Sequence, residues 1–178
     1  ETGVAVCENG NYYNRFYFVH PDGAVQHYDK KHLFTFGGEH KRFTAGTERV
    51  VVNFRGVRIL LEVCYDLRFP VWSRNLGDYD MILYVASWPT PRVDAWSALL
   101  RARAIENQCY VAGVNRMGTD PACEYSGGSA IIDPYGKTIA ECPWSRESAV
   151  SADIDMEALQ AFRKKFPVLD DADPFTLI

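Results

Sequence analysis

Short apolar runs suited to strands buried on both faces, alternating with helical periodicity, constrain this chain most. Ile59-Leu60-Leu61 is a continuous apolar run inside a Val57–Val63 strand, and Met81–Ala86 and Cys109–Val114 repeat the pattern. A run without polar alternation suits a strand covered on both sides. Between the last two strands, Val93 to about Gln108 reads as the best helix, with Trp96, Leu99, Leu100, Ala104 and Ile105 along one face. A shorter helix is predicted from Pro70 to about Leu76, opened by the proline and closed by Gly77. Hairpins interrupt this alternation. Val50–Phe54 turns at Arg55-Gly56 into Val57–Val63, and Gly128–Ile132 turns at Asp133-Pro134-Tyr135-Gly136 into Lys137–Glu141. Upstream, Val4–Cys7, Arg15–Val19 and Ala24–Tyr28 read as strands; downstream, Ala149–Ile154 reads as a last strand and Asp155 as the cap of a helix from Met156 to about Phe166. The pattern predicts an α/β layered sandwich, with too many hairpins for a purely parallel doubly wound sheet. The chain has no GxGxxG or GxxxxGK[ST], so nucleotide-binding folds lose their main support.

Composition narrows the partners. A length of 178 residues predicts one domain, at roughly 100–200 residues each. Nineteen basic against twenty-three acidic side chains give −4, which argues against a nucleic-acid partner. The longest stretch without charge, Met81–Pro91, is eleven residues interrupted by proline, so no segment is predicted to span a membrane. The five cysteines, Cys7, Cys64, Cys109, Cys123 and Cys142, are odd in number and form no CxxC or Cys/His cluster. That pattern predicts free thiols in a reducing cytoplasm, and no zinc site. The chain opens at Glu1 with neither a methionine nor a leader segment.

Cys64 stands where the Val57–Val63 strand gives way to the polar, proline-terminated segment Tyr65-Asp66-Leu67-Arg68-Phe69-Pro70. A residue at such a strand end is fixed by the sheet yet faces a pocket, as a nucleophile requires. Cations that could lower its pKa are Arg68 and, across a loop, Lys30 or Lys31. The plainer alternative is a core cysteine, with Asp66 and Arg68 as a surface ion pair. A papain-like Cys–His pair lacks its local signatures, because His20, His27, His32 and His40 all precede Cys64. His20 and His32 read as structural. The segment from Asp29 to Thr47 reads as one long loop, placing Lys30 and Glu39 nine residues apart before the strand that delivers Cys64.

The run Tyr28-Asp29-Lys30-Lys31-His32-Leu33-Phe34, the Glu39…Phe43-Thr44-Ala45-Gly46 segment and Leu61–Pro70 together resemble the carbon–nitrogen hydrolase (nitrilase) superfamily. Pro70–Asn75, Ala86-Ser87-Trp88-Pro89-Thr90-Pro91-Arg92 and Arg101–Asn107 narrow the likeness to the bacterial ω-amidases, over essentially the whole chain. The resemblance implies an α-β-β-α sandwich and amide hydrolysis of 2-oxo acid ω-amides such as 2-oxoglutaramate and 2-oxosuccinamate. It implies Cys64 as the nucleophile that forms a thioester with loss of ammonia, and Lys30 as the group stabilising the oxyanion. Glu39 matches a second glutamate that positions substrate and lysine, and the Tyr65 backbone N–H completes the oxyanion site. No metal or organic cofactor is implied, and the expected assembly is a homodimer or higher homo-oligomer. For a substrate carboxylate Arg92 is the first candidate, Trp88 a pocket wall and Arg68 a second candidate; for Arg68, a pair with Asp66 or a neighbouring acid is the stronger reading.

One family feature has no counterpart here. The general-base glutamate belongs upstream of the lysine loop, where only Glu1 and Glu8 occur, and neither stands in a matching motif. The chain therefore reads as the later two-thirds or so of a complete enzyme, cut through a strand at Glu1. A molecule limited to it is expected to show little amidase activity. Alternatives are another amidase or carbamoylase of the superfamily, or a catalytically dead interaction subunit.

Overall fold

The computed structural model describes residues 2–177, so the reading of Glu1 as a cut strand lies outside the described residues. The chain begins with an antiparallel sheet of three strands, β1 (Thr2–Glu8), β2 (Asn11–Val19) and β3 (Val25–Asp29). It continues through β4 (Val51–Phe54), β5 (Val57–Val63), the short helix α1 (Pro70–Ser73), β6 (Met81–Ala86), α2 (Val93–Glu106) and β7 (Tyr110–Asn115). A small hairpin, β8 (Met117–Thr119) and β9 (Glu124–Ser126), precedes β10 (Ala130–Ile132), β11 (Thr138–Glu141) and the helix α3 (Met156–Lys165). The main sheet has the order β11-β10-β7-β6-β5-β4. Its centre, β5-β6-β7, is parallel, and its flanking pairs are antiparallel.

Alternate side chains of the parallel strands feed two cores. Leu60, Ile82, Tyr84 and Val111 pack towards the helices with Trp96, Leu100 and Ala104. Ile59, Leu61, Val63, Leu83 and Ala112 pack against Phe16, Phe18 and Tyr28 of the first sheet. The uninterrupted apolar runs therefore do report burial on both faces. Close approach is required at Gly113, where a Cβ would stand 2.7 Å from Leu100 and Trp96 atoms of α2.

Two expectations are corrected and one element is added. The segment 149–154 is no strand: Ala149 and Val150 line an apolar groove with Phe18, Leu83 and Ile131, but the segment joins no ladder. Helix α1 ends at Ser73, short of Leu76, because Asn75 bonds to Asn107 and to the Tyr79 carbonyl, drawing the chain out of helical geometry. The β8–β9 hairpin had no strand signal; it is closed by Asp120, whose carboxylate accepts from the Ala122 and Cys123 amides at 2.9 Å each. Asp155 does cap α3, accepting from the Ala158 amide at 2.8 Å.

Candidate active site

Strand β5 ends in a backbone reversal at Cys64, whose φ of 49° lies in the left-handed region. A side chain there costs roughly 1–3 kcal/mol, so surrounding contacts must impose it. Asp66 supplies them. Fully buried, it accepts from the Val63 amide at 3.1 Å, the Tyr28 hydroxyl at 2.8 Å and the His32 amide at 2.9 Å, and His32 Nδ1 lies 2.8 Å away. His32 also stacks on Phe69, with ring centroids 3.8 Å apart. The turn Cys64–Arg68 is thereby pinned to the loop that carries Lys30. Cys64 is half-buried, and its sulfur points to the Ser87 carbonyl at 3.8 Å. Burial pushes the thiol up; the Lys30 charge and the Ser87 contact offset part of this, while Glu39 and Asp66 add to it.

Lys30 leaves β3 with its amide bonded to the Asn14 carbonyl at 2.9 Å and its side chain almost wholly buried. Its Nζ donates to Glu39 Oε2 at 2.7 Å. The same glutamate accepts from the Phe34 amide at 2.6 Å and from Asn14 Nδ2 at 3.0 Å. Burial would raise the Glu39 pKa, but the charge and hydrogen bond of Lys30, with Asn14 and the Phe34 amide, outweigh it and hold the carboxyl below the usual range. The loop closes at Gly46, whose amide bonds the Lys30 carbonyl at 2.9 Å and where a Cβ would stand 2.1 Å from the Asp29 carbonyl oxygen. No larger residue fits that approach.

The third wall is the loop after β6. Trp88 donates its amide to Asn115 Oδ1 at 2.7 Å, and Asn115 Nδ2 donates to the Trp88 carbonyl at 3.0 Å and to the Gly127 carbonyl at 2.7 Å. The Trp88 indole N–H bonds the Arg92 carbonyl at 2.7 Å. Arg68 lies over the Trp88 ring, 4.9 Å from its centroid, and Arg92 over Phe34 at 5.3 Å. Among the described residues neither arginine pairs with an acidic side chain.

These three segments enclose a cavity of about 450 Å³, lined by Lys30, Glu39, Cys64, Tyr65, Arg68, Trp88 and Arg92 among others. All seven residues singled out in the sequence thus converge. The preferred ion pair of Arg68 with Asp66 is corrected: Asp66 turns inward to Tyr28, His32 and Val63, leaving Arg68 on the cavity wall. Lys31, the other candidate cation, turns away and lies 5.1 Å over the Trp72 ring. Tyr65 is second in a 3₁₀ turn, a position whose N–H the turn itself cannot bond. Sequence reasoning missed Asn14 and Arg116, which line this cavity, and Asn115, which holds its Trp88 wall. Asn115 lies one residue past the predicted strand Cys109–Val114 and ends the observed β7, and only tertiary pairing shows what it bonds.

A thiol on a strained turn, an ammonium–carboxylate pair and a cationic wall around one cavity are the equipment of acyl-transfer chemistry. Comparison with known proteins gives the class its family: residues 2–164 match the carbon-nitrogen hydrolase model, and the chain belongs to that family. It is 53% identical to "Omega-amidase YafV" of Escherichia coli (strain K12) over 98% of this chain and 68% of that protein. It is 41% identical to "2-oxoglutaramate amidase" of Bacillus subtilis (strain 168), over 94% of this chain and 66% of the relative. The crystal structure of XC1258 from Xanthomonas campestris, a CN-hydrolase superfamily protein with an arsenic adduct in its active site, superposes with a TM-score of 0.95 at 46% identity. That match covers 99% of this chain and 69% of the other. The chain spans about two-thirds of the length of these relatives.

Proposed function

We propose that the protein hydrolyses the terminal amide of 2-oxo dicarboxylic acid monoamides, of the 2-oxoglutaramate and 2-oxosuccinamate kind, releasing ammonia. The observation that carries this reading is the convergence of Cys64 and the Lys30–Glu39 pair with two arginines that, among the described residues, have no acidic partner. The names of the relatives from Escherichia coli and Bacillus subtilis support it.

In this reading the Cys64 sulfur attacks the amide carbon, and the carbonyl oxygen becomes an oxyanion facing the Lys30 ammonium and the Tyr65 amide. Collapse expels ammonia and leaves a thioester; water then adds to the thioester carbonyl, and its collapse releases the carboxylic acid and restores the thiol. Arg92 and Arg68, held against aromatic faces, bind the substrate carboxylate, and Trp88 walls the pocket. Glu39 holds Lys30 in place through the 2.7 Å hydrogen bond from its Nζ. Held ionised by three donors, it is a poor acceptor for the thiol proton. Ammonia release from 2-oxoglutaramate by the protein and by Cys64→Ala tests the assignment; equal rates would sink it.

A binding-only subunit is the second reading, favoured by the cavity's having Glu39 as its one acidic side chain among the described residues. A mass increment of one acyl group on Cys64 after exposure to substrate rules it out. We further propose a homodimer in the cytoplasm. The five cysteines are free, and Phe166 is exposed beside Phe162 and Tyr135. Light scattering and cell fractionation check these two points.

A further inference from the structure

Beneath the Cys64 turn lie two carboxyl groups without solvent exposure, Glu62 and Asp66. Their surroundings differ. Asp66 has donors on both oxygens, from Tyr28, His32 and the Val63 amide. Glu62 points to the other face of β5. Its Oε2 accepts from Ser73 Oγ at 2.9 Å, Ser73 Oγ lies 3.2 Å from the Tyr84 hydroxyl, and Oε1 has no partner. An ionised carboxylate would leave that oxygen charged and unbonded in a low-dielectric interior.

We propose that Glu62 is a positioning residue for the Cys64 turn and works there as a neutral carboxylic acid. It joins Ser73 of α1 and Tyr84 of β6 to the strand that ends at Cys64, so the turn is held between two elements that Glu62 links. This rests on the reading of Cys64 as the reactive thiol. The titratable and charged groups around Glu62 are Asp66 from the turn, Arg103 from α2, Tyr84 from β6, Tyr28 from β3, and Tyr79 and Cys109 just before β6 and β7. Arg103 already donates to Glu106 and to the Leu67 carbonyl. Burial first, then the charge of Asp66, push the Glu62 carboxyl up to about 8, against the pull of Tyr84, Ser73 and Arg103. Loss of its proton sets a second negative charge against Asp66 and disrupts the frame under the turn.

The rate at which iodoacetamide alkylates Cys64, followed across pH by peptide mass, tests this in the protein and in Glu62→Gln. We expect the protein to show an inflection near pH 8, where Glu62 titrates, in addition to the thiol's own, and Glu62→Gln to show the thiol's alone. Difference infrared spectra of the native protein should show a protonated carboxyl band at neutral pH that disappears on alkaline titration. Superimposable alkylation profiles in the two proteins overturn the proposal. If Glu62→Gln does not fold, absence of the infrared band at neutral pH overturns it. A Cys64 that resists labelling at every pH defeats the nucleophile assignment instead, and the infrared titration then decides the state of Glu62 alone.

Discussion

Lys30 Nζ stands 2.7 Å from Glu39 Oε2 at the cavity wall, a pair formed by one loop that returns on itself through the Glu39 and Phe34 hydrogen bonds. Both charges act on the Cys64 thiol, Lys30 lowering its pKa and Glu39 raising it.

Removing one member leaves the other charge buried. Lys30 is 3% exposed, so Glu39→Ala should destabilise the fold by roughly 3 kcal/mol. Urea denaturation measures this. The carboxyl's folded-state pKa is depressed, so its stabilisation is present above the unfolded carboxylate pKa and fades as pH falls through the folded value. The gap between the native protein and Glu39→Ala should therefore narrow in acid.

Loss of Lys30 should act on chemistry rather than binding. A donor to a developing oxyanion contributes about 10²–10³ in rate, so Lys30→Met should lower kcat by about that factor with KM little changed. Steady-state ammonia release gives both parameters.

The Asn115 side chain makes three hydrogen bonds, two of them buried, that hold the Trp88 loop and Gly127. Asn115→Ala leaves backbone groups without partners, at about 1–3 kcal/mol in stability. Since Trp88 carries Arg68 on its face and bonds the Arg92 carbonyl, KM for carboxylate-bearing amides should rise more than kcat falls. Calorimetric unfolding and a substrate titration separate the two effects.

Arg92→Gln and Arg68→Gln remove charged donors from the wall. Each should cost about 10- to 100-fold in kcat/KM on 2-oxo acid amides, from hydrogen bonds of about 1.5–3 kcal/mol, and leave neutral aliphatic amides untouched. Equal losses on both substrate classes would contradict the carboxylate role.

Glu62 makes stability fall from acid towards mildly alkaline pH. Its folded pKa, about 8, lies above the ordinary 4.5, so the folded state binds the extra proton and stability falls as pH rises between those values. Glu62→Gln should flatten that slope in thermal unfolding scans. An unchanged slope would show that Glu62 ionises normally.

Local patterns gave much of the frame. The runs at 57–63, 81–86 and 109–114 became the parallel centre of the main sheet, and Asp155 capped its helix as its residue type suggests. The site motifs were also legible: Cys64, Lys30, Glu39, Trp88 and Arg92 share one cavity. What misled was orientation. Asp66 and Arg68 are two residues apart, as an exposed ion pair could be, yet the left-handed turn at Cys64 directs one inward and the other onto the wall.

By itself, then, the sequence determined the central strands, the long helix α2 and which side chains could react, because periodicity and residue chemistry are local properties. Only the tertiary structure decided what each charge meets. Asn14, Asn115 and Glu62 acquire their roles from partners 25, 27 and 11 residues away. The stability of a buried polar group depends on whether those distant donors reach it, a condition no local pattern encodes.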